Sequence, residues 1–384
     1  MIDRYVYTPI NKIENPALRG VLDGLARLLL DNWLYIIAVL LLWRFPNIIA
    51  QMTDTEVTPQ RPTGDSVFWQ SIMAQSLLLA SLSMSYNLLF GYSGVISFGH
   101  ALFFGVGGYV TFMLISQIDG MSFYVAVLLA IVASIGLSLI AGLVTLRLKG
   151  VYFTMFTLAF AEMFWVLAKS GTFRNYTGAE DGLVVRDIIP DSLNATPTAD
   201  GSRLFMYRLT LVFFVLVFLA IRRYLSSPAG RVMLSIRENE DRARTIGYNT
   251  VRYKLLTMSF AGVIATLTGI LFVLWSTDKR VKPDLLSLNY TVLPLLYTLI
   301  GGLGTLVGPV LSTLGLELGE SYLRDKTITM GSTTINIAEQ WDLFLGVLFI
   351  VSVMVLPNGI VGTWSKWRAE RRIKRMEREL HHDT

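Results

Sequence analysis

The feature that most constrains this chain is the recurrence of apolar runs long enough to cross a membrane. They fall at roughly 33–50, 69–90, 95–117, 122–146, 152–169, 206–225, 253–275, 288–303, 306–322 and 341–356. A hydrocarbon core of ~30 Å needs about 20 consecutive apolar residues in a helix, and only helices or closed barrels satisfy their backbone there. Runs of helical length therefore predict an all-α polytopic transmembrane bundle of about ten spans. Composition agrees: 53% of the 384 residues are hydrophobic and 16% charged, against about 25% charged in soluble domains. Several runs are short for a full crossing. The pairs around Gly91–Gly94 and Gly301–Gly304 are therefore expected to include broken or re-entrant helices.

The same composition excludes whole classes of function. With no cysteine there are no disulfides or thiolate metal sites, and three histidines, two of them at the very end, leave little for a histidine cage. No catalytic residues, metal or cofactor are expected. No Gly-Lys dipeptide occurs, so there is no phosphate-binding P-loop and any ATP hydrolysis must belong to a partner. The sequence pI near 9.3 does not indicate a nucleic-acid partner, because the basic residues gather in particular loops and the tail. The first long apolar run starts near Trp33, too late for a cleavable signal peptide.

Those basic residues set the expected orientation. The 221–254 loop holds Arg222, Arg223, Arg231, Arg237, Arg242, Arg244, Arg252 and Lys254 against three acids. The tail carries Lys366, Arg368, Arg371, Arg372, Lys374, Arg375 and Arg378, and Arg147 and Lys149 occupy another short loop. Ten spans put all three on one side, expected to be cytoplasmic together with both termini. The 170–205 loop, with Glu180, Asp181, Asp187, Asp191 and Asp200, then lies outside. Asp278-Lys279-Arg280-Val281-Lys282 conflicts, since it would be external despite three basic residues. Upstream, Leu18, Val21, Leu22, Leu25, Leu28 and Leu29 follow helical spacing, opposite a stripe of Arg19, Asp23, Arg27 and Asp31. This predicts a cytoplasmic segment, 1–32, with an amphipathic helix on the membrane surface, then a membrane domain, 33–365, and a basic tail, 366–384.

Two stretches stand out. In 82–109 six glycines (Gly91, Gly94, Gly99, Gly105, Gly107 and Gly108) interrupt two apolar runs. Each costs roughly 1 kcal/mol against Ala in a helix, so such density implies close backbone packing, a bend or a substrate path. The second is Ser226–Gly247. Ser227 suits an N-cap, Pro228 a first helical position, and Asn239 the cap of a second short helix with Glu240 and Asp241 at its positive end. Glu240 and Arg244 stand at i,i+4, Gly247 suits the helix-ending position, and Ala243 and Ile246 share a face. A stiff short helix of this kind is what a membrane protein needs to insert into a groove on an ATPase.

Six pieces in order, 87–109, 149–162, 177–183, 230–249, 300–310 and 356–362, resemble the LivM-type permease subunit of branched-chain amino acid ABC importers. Asp241-Arg242-Ala243-x3-Gly247 also resembles the acidic-Ala-Ala-x3-Gly motif of ABC importer membrane subunits, departing at Asp for Glu and Arg for Ala. The related urea permease shares the glycine corner and the arginine loop, so branched-chain amino acid and urea substrates both stay open. The resemblance implies a bacterial inner-membrane subunit pairing with an H-type permease, two cytoplasmic ATPases and an extracytoplasmic binding protein. It implies an ATPase-coupling loop at Gly230, Arg231, Arg237, Glu238, Asn239, Glu240, Asp241, Arg242, Ala243 and Gly247. A translocation path or permease packing face is expected at Gly94, Ser97, Phe98, Gly99, His100, Phe104, Gly105, Gly108, Tyr109 and Glu162, with Phe103 beside them. Thr177, Gly178, Glu180, Asp181 and Gly182 are expected to dock the binding protein.

Individual residues admit two readings each. His100 is a buried neutral histidine on a backbone carbonyl, or a polar contact near the path. Glu162 pairs with a partner subunit, lines the path, or meets Lys169 near the outer interface. Glu317 and Glu320 share a helix face toward an outer end, Arg44 snorkels, and Pro294 and Pro309 bend or bound spans. Two rival classes are a secondary, ion-coupled transporter and an intramembrane hydrolase using Ser97 and His100. For the hydrolase, neither a third catalytic member nor a nucleophile elbow is present.

Overall fold

The computed structural model describes residues 16–57, 64–145, 148, 150–190, 193, 202–323, 327–330, 333–336 and 340–382. Arg147, Lys149, Asp191 and Asp200 lie outside these residues. The described chain is helical almost throughout. Helix α1 spans Pro16–Met52, α2 Asp65–Asn87, α3 His100–Gln117, α4 Phe123–Thr145, α5 Val151–Lys169 and α6 Ser202–Ser226. Two short helices follow, α7 Pro228–Glu238 and α8 Glu240–Thr245. Then come α9 Thr250–Trp275, α10 Asn289–Gly301, α11 Gly308–Leu323, α12 Trp341–Val355 and α13 Gly359–His382.

Among the described residues, eight helical stretches are long and apolar enough to cross a membrane. Of the ten runs expected, the two exceptions are α10 and α11, at 13 and 16 residues. They are the short pair flanking Gly301–Gly304, and the chain between them is not helical. The second expected break is also present. Helix α2 passes into a single π turn, Leu88–Tyr92, and residues 94–99 leave the helical path before α3 begins. One expectation is corrected at the N-terminus. The amphipathic stretch 17–31 is not a separate element but runs without a break into the first span as α1.

Helix α2 is the axis of the bundle. In its most apolar window 89% of residues are buried, against 67% for α3, 61% for α9 and 11% for α1. It therefore packs on protein nearly all round, meeting α6, α9, α10 and α11, while α3 packs along α9, α4 and the 283–286 turn. Leu77, Leu82, Met84, Phe103, Phe104 and Phe112 are sealed in this core. Its serines explain how so buried a helix stays polar: the hydroxyls of Ser76, Ser81 and Ser83 donate to the carbonyls four residues back. Thr313 on α11 and Thr298 on α10 reach Ser83 at 3.1 and 3.3 Å, a polar tie between helices that the apolar lipid cannot supply.

Helix α3 explains the glycine density. A Cβ on Gly107 would collide with the Thr266 carbonyl of α9, and one on Gly269 of α9 with the Phe104 carbonyl of α3. Small residues on both helices thus let the two backbones touch, and Thr266 Oγ1 donates to the Phe103 carbonyl at 3.0 Å across the seam. At one end of the bundle, β1 Leu183–Val184 pairs antiparallel with β2 Arg280–Val281. Further on, β3 Thr327–Met330 and β4 Thr333–Asn336 form a hairpin between α11 and α12.

Candidate functional site

Three groups of residues make up the site: two lie at the end of the bundle opposite that β1–β2 pair, and the third lies beside the pair itself. The first is the short-helix loop. Ser227 Oγ accepts from the Gly230 amide at 3.2 Å, and Pro228 opens α7. Asn239 Oδ1 accepts from the Arg242 amide at 2.9 Å and caps α8, and Gly247 closes it at φ +100°. Asn249 then caps α9 through the Arg252 amide, so each of these starts has its own side-chain oxygen. Gly230 packs against the Tyr224 carbonyl, where a Cβ would not fit. Met233, Ile236 and Ala243 bury together against Tyr253 and Val232 and fasten the loop to the base of α9.

Charge completes the fastening. Lys254 Nζ donates to Glu240 Oε2 at 2.6 Å and Arg244 Nη2 to Oε1 at 3.2 Å. Burial raises the Glu240 pKa, but the Lys254 bond and charge, a Thr250 hydroxyl and Arg244 outweigh it, and the carboxyl ends below its ordinary range. The expected shared face of Ala243 and Ile246 needs correcting: Ala243 is 3% exposed and Ile246 69%. Ile246 is the C-cap, where the chain is already turning away toward Gly247, so it projects outward. Asp241, Arg242, Thr245 and Ile246 are left on the open surface of α8, as are Arg231 and Glu238 on α7.

The second group is the pair of glycine corners, and they meet. Asn87, the last residue of α2, donates from Nδ2 to the Thr305 carbonyl at 2.7 Å and accepts at Oδ1 from the Gly304 amide at 3.1 Å. A Cβ on Gly91 would lie 2.6 Å from the Gly304 nitrogen. Gly94 and Gly304 both adopt positive φ, +70° and +72°, which only glycine enters without strain. The unwound 94–99 segment is also satisfied by side chains: Phe98 N–H donates to Thr157 Oγ1 of α5 at 3.1 Å, and Gly99 N–H to Ser97 Oγ at 3.2 Å. Thr291 Oγ1 of α10 accepts from Ala101 at 2.8 Å and closes the start of α3. A broken helix is tolerated at membrane depth only where its backbone is satisfied in this way.

A cleft of about 880 Å³ opens beside this corner. Gly94, Phe98, Val151 and Thr154 line one side and Glu240, Asp241, Arg244 and Lys254 the other. Ser97 is buried at its margin. The other residues expected along a path lie deeper within the chain. A Cβ on Gly99 would lie 2.7 Å from the Thr157 carbonyl, one on Gly105 would collide with Leu286, and one on Gly108 would lie 3.1 Å from Val273 Cγ2. Phe104 stacks on Tyr290 with ring centroids 4.6 Å apart, and Phe103 is also core. Tyr109 lines a separate apolar cavity of about 460 Å³, with Met113, Phe164 and Tyr176.

His100 is fully buried, and its Nε2 lies 2.7 Å from Ser85 Oγ. Its partner is thus a hydroxyl of α2, neither the backbone carbonyl expected nor Ser97. Ser85 in turn donates to the Leu82 carbonyl at 2.7 Å, which leaves His100 as donor to Ser85. Glu162 is half-buried on α5 and makes no ion pair among the described residues. Lys169 turns instead to Glu180 at 3.7 Å and over the Trp165 ring. Glu317 accepts from Tyr297 Oη at 2.7 Å.

The third group lies at the far end, and it accounts for the basic 278–282 turn. Thr177 ends a short helical turn, and Gly178 and Gly182 take φ of +75° and +73° around Ala179-Glu180-Asp181. The turn holds this segment: Val185 N–H donates to the Lys279 carbonyl at 2.9 Å, and Arg280 Nη1 to the Asp181 carbonyl at 3.0 Å. Lys282 pairs with Asp278 at 2.5 Å and Arg174 with Asp181 at 2.8 Å. Lys279 is 4% exposed and donates to the Leu274 carbonyl. Burial first, then the charges of Arg186 and Arg203, lower its pKa to about 8. Within the turn Lys282 meets the Asp278 carboxylate, while Arg280 and Lys279 donate to the backbone carbonyls of Asp181 and Leu274.

A bundle broken at two touching glycine corners, with a capped helix pair fastened beneath them, defines a multi-pass membrane transport component. Residues 69–353 match the family described as branched-chain amino acid transport system, permease component, and the chain belongs to that family. Among curated relatives, the high-affinity branched-chain amino acid transport system permease protein LivM of Salmonella typhimurium is 24% identical over 309 residues, 76% of this chain and 69% of the relative. LivM of Escherichia coli is 24% identical over 325 residues, 77% and 72%. The permease protein LivH of Salmonella typhimurium is 24% identical over 296 residues, 74% and 91%. No solved structure matches.

Proposed function

We propose that this chain is one of two related membrane subunits of an ATP-driven importer for branched-chain or other hydrophobic amino acids. Its sister is an H-type permease, a reading supported by similarity to both LivM and LivH. The bundle built on 33–365 forms its half of the path. The end carrying α7 and α8, with both termini, faces the cytoplasm of a bacterial cell and meets two ATPases; 366–384 is the basic tail. The opposite end receives an extracytoplasmic binding protein at Thr177, Gly178, Glu180, Asp181 and Gly182.

The observation that carries the reading is α8. Six residues cannot hold a helix alone in water. Here Asn239 caps it, Ala243 anchors it and Glu240 ties it to Lys254, while Arg242, Thr245 and Ile246 face outward. A short helix held this rigidly and left uncovered moves as a body with α9, so force applied to it reaches the bundle. Loaded binding protein docks at one end, ATP-driven closure pushes α8 at the other, and the paired permeases exchange outward for inward access. Affinity capture of the tagged chain, coexpressed with its sister and the ATPases, tests this. Scrambling 239–247 is expected to lose the ATPases and keep the sister; ATPases retained on the scrambled chain would overturn the coupling role.

A further inference from the structure

We infer that Arg237 is a positioning residue, a wedge through which movement of the α7–α8 loop sets the spacing of both glycine corners. The inference rests on the reading that this loop meets an ATPase. Arg237 lies in the last turn of α7, one helical position beyond the buried Ile236 anchor. Its stem and head touch different corners. A Cβ on Gly94 would lie 3.5 Å from Arg237 Cγ, and one on Gly304 would lie 2.6 Å from Arg237 Nη1. Both glycines adopt positive φ at their breaks, and a side chain at 304 would occupy the place the guanidinium needs.

The corners are also bound to each other and to the C-terminal helix. Asn87 bridges Gly304 and Thr305, and a Cβ on Gly302 would lie 3.0 Å from the Asn358 carbonyl just before α13. Displacing α7 toward the bundle therefore drives Arg237 between the start of the 94–99 break and the 302–305 turn. Withdrawing it lets them close. Beyond Val95 the first break is held by side-chain rather than helical bonds, from Phe98 to Thr157 and from Gly99 to Ser97, so it has fewer bonds to resist either motion than the helices on both sides. A basic residue kept merely to hold a loop in the cytoplasm needs charge alone; a wedge needs length and a planar head, which Lys does not reproduce.

The test uses the complete importer in lipid vesicles, comparing wild type, Arg237→Ala and Arg237→Lys for ATPase co-purification, ATP hydrolysis and uptake. The wedge predicts that Arg237→Ala loses about tenfold or more in uptake per ATP hydrolysed by the importer it still forms, raising the ATP spent per amino acid carried. Arg237→Lys is expected to stay well below wild type. Wild-type uptake by either variant overturns the wedge alone, because the loop still binds its ATPase. Loss of ATPases from Arg237→Ala overturns it too, by placing Arg237 in the docking surface. If wild type itself retains no ATPase, both the docking reading and the wedge fall.

Discussion

Replacing Asn87 by Ala isolates the contact between the two corners. It deletes the bond to the Thr305 carbonyl and the bond from the Gly304 amide, and no other side chain among the described residues bonds to either group. Polar pairs inside membrane proteins contribute about 0.6 kcal/mol each on average, so two bonds set a floor near ~1 kcal/mol. If the stranded amide and carbonyl stay dry, each costs about 1–3 kcal/mol, and the total reaches roughly 2–6 kcal/mol. That corresponds to about 30- to 20,000-fold in the balance between joined and parted corners. The assay is the thermal midpoint of the purified chain, paired with uptake by the assembled importer. Both are expected to fall, the midpoint by several degrees. An unchanged midpoint together with normal uptake would refute the claim that these bonds hold the corners together.

Two further substitutions read the packing and the far end. Gly107→Ala forces α3 from α9, because the new methyl meets the Thr266 backbone, and overpacking of this kind costs about 1–3 kcal/mol. Gly136→Ala on α4, where nothing lies within 4 Å, is the control and should leave the midpoint unchanged or slightly raised. Lys279 carries a pH signature. Its folded-state pKa is depressed to about 8 from 10.5, so the folded chain binds fewer protons than the unfolded one between those values, and stability rises with pH across that window. Lys279→Met should abolish that rise and match or exceed wild-type stability at pH 7, read as thermal midpoints at pH 7 and pH 10.

What the sequence made legible was local. Apolar run length gave the spans, and the capping residues Ser227, Asn239 and Gly247 gave the short helices, because each signal lies within one turn of what it controls. Both breaks were announced by glycine. Partners across the fold were not legible. The density of glycines in 82–109 implied close approach but not that Thr266 and Gly269 of α9 supply the other surface. Neither spacing nor composition joins Asn87 to Thr305, or Lys254 to Glu240, because both pairings depend on how separate helices pack. The outward turn of Ile246 was missed for a related reason: its spacing from Ala243 is helical, but the helix ends first. The 278–282 turn looked misplaced by charge until its partners at Asp181 and the 183–185 segment were seen.

On the proposed function, ATP hydrolysis by partner subunits, transmitted through α7 and α8, drives amino acid import through this bundle. Uptake of radiolabelled leucine into vesicles holding the chain, its sister permease and both ATPases, with loaded binding protein outside, measures this directly. Uptake is expected to need internal ATP and the binding protein and to persist when ion gradients are collapsed. Uptake that continues without ATP and stops when the gradient is dissipated would contradict it and assign the chain to an ion-coupled transporter.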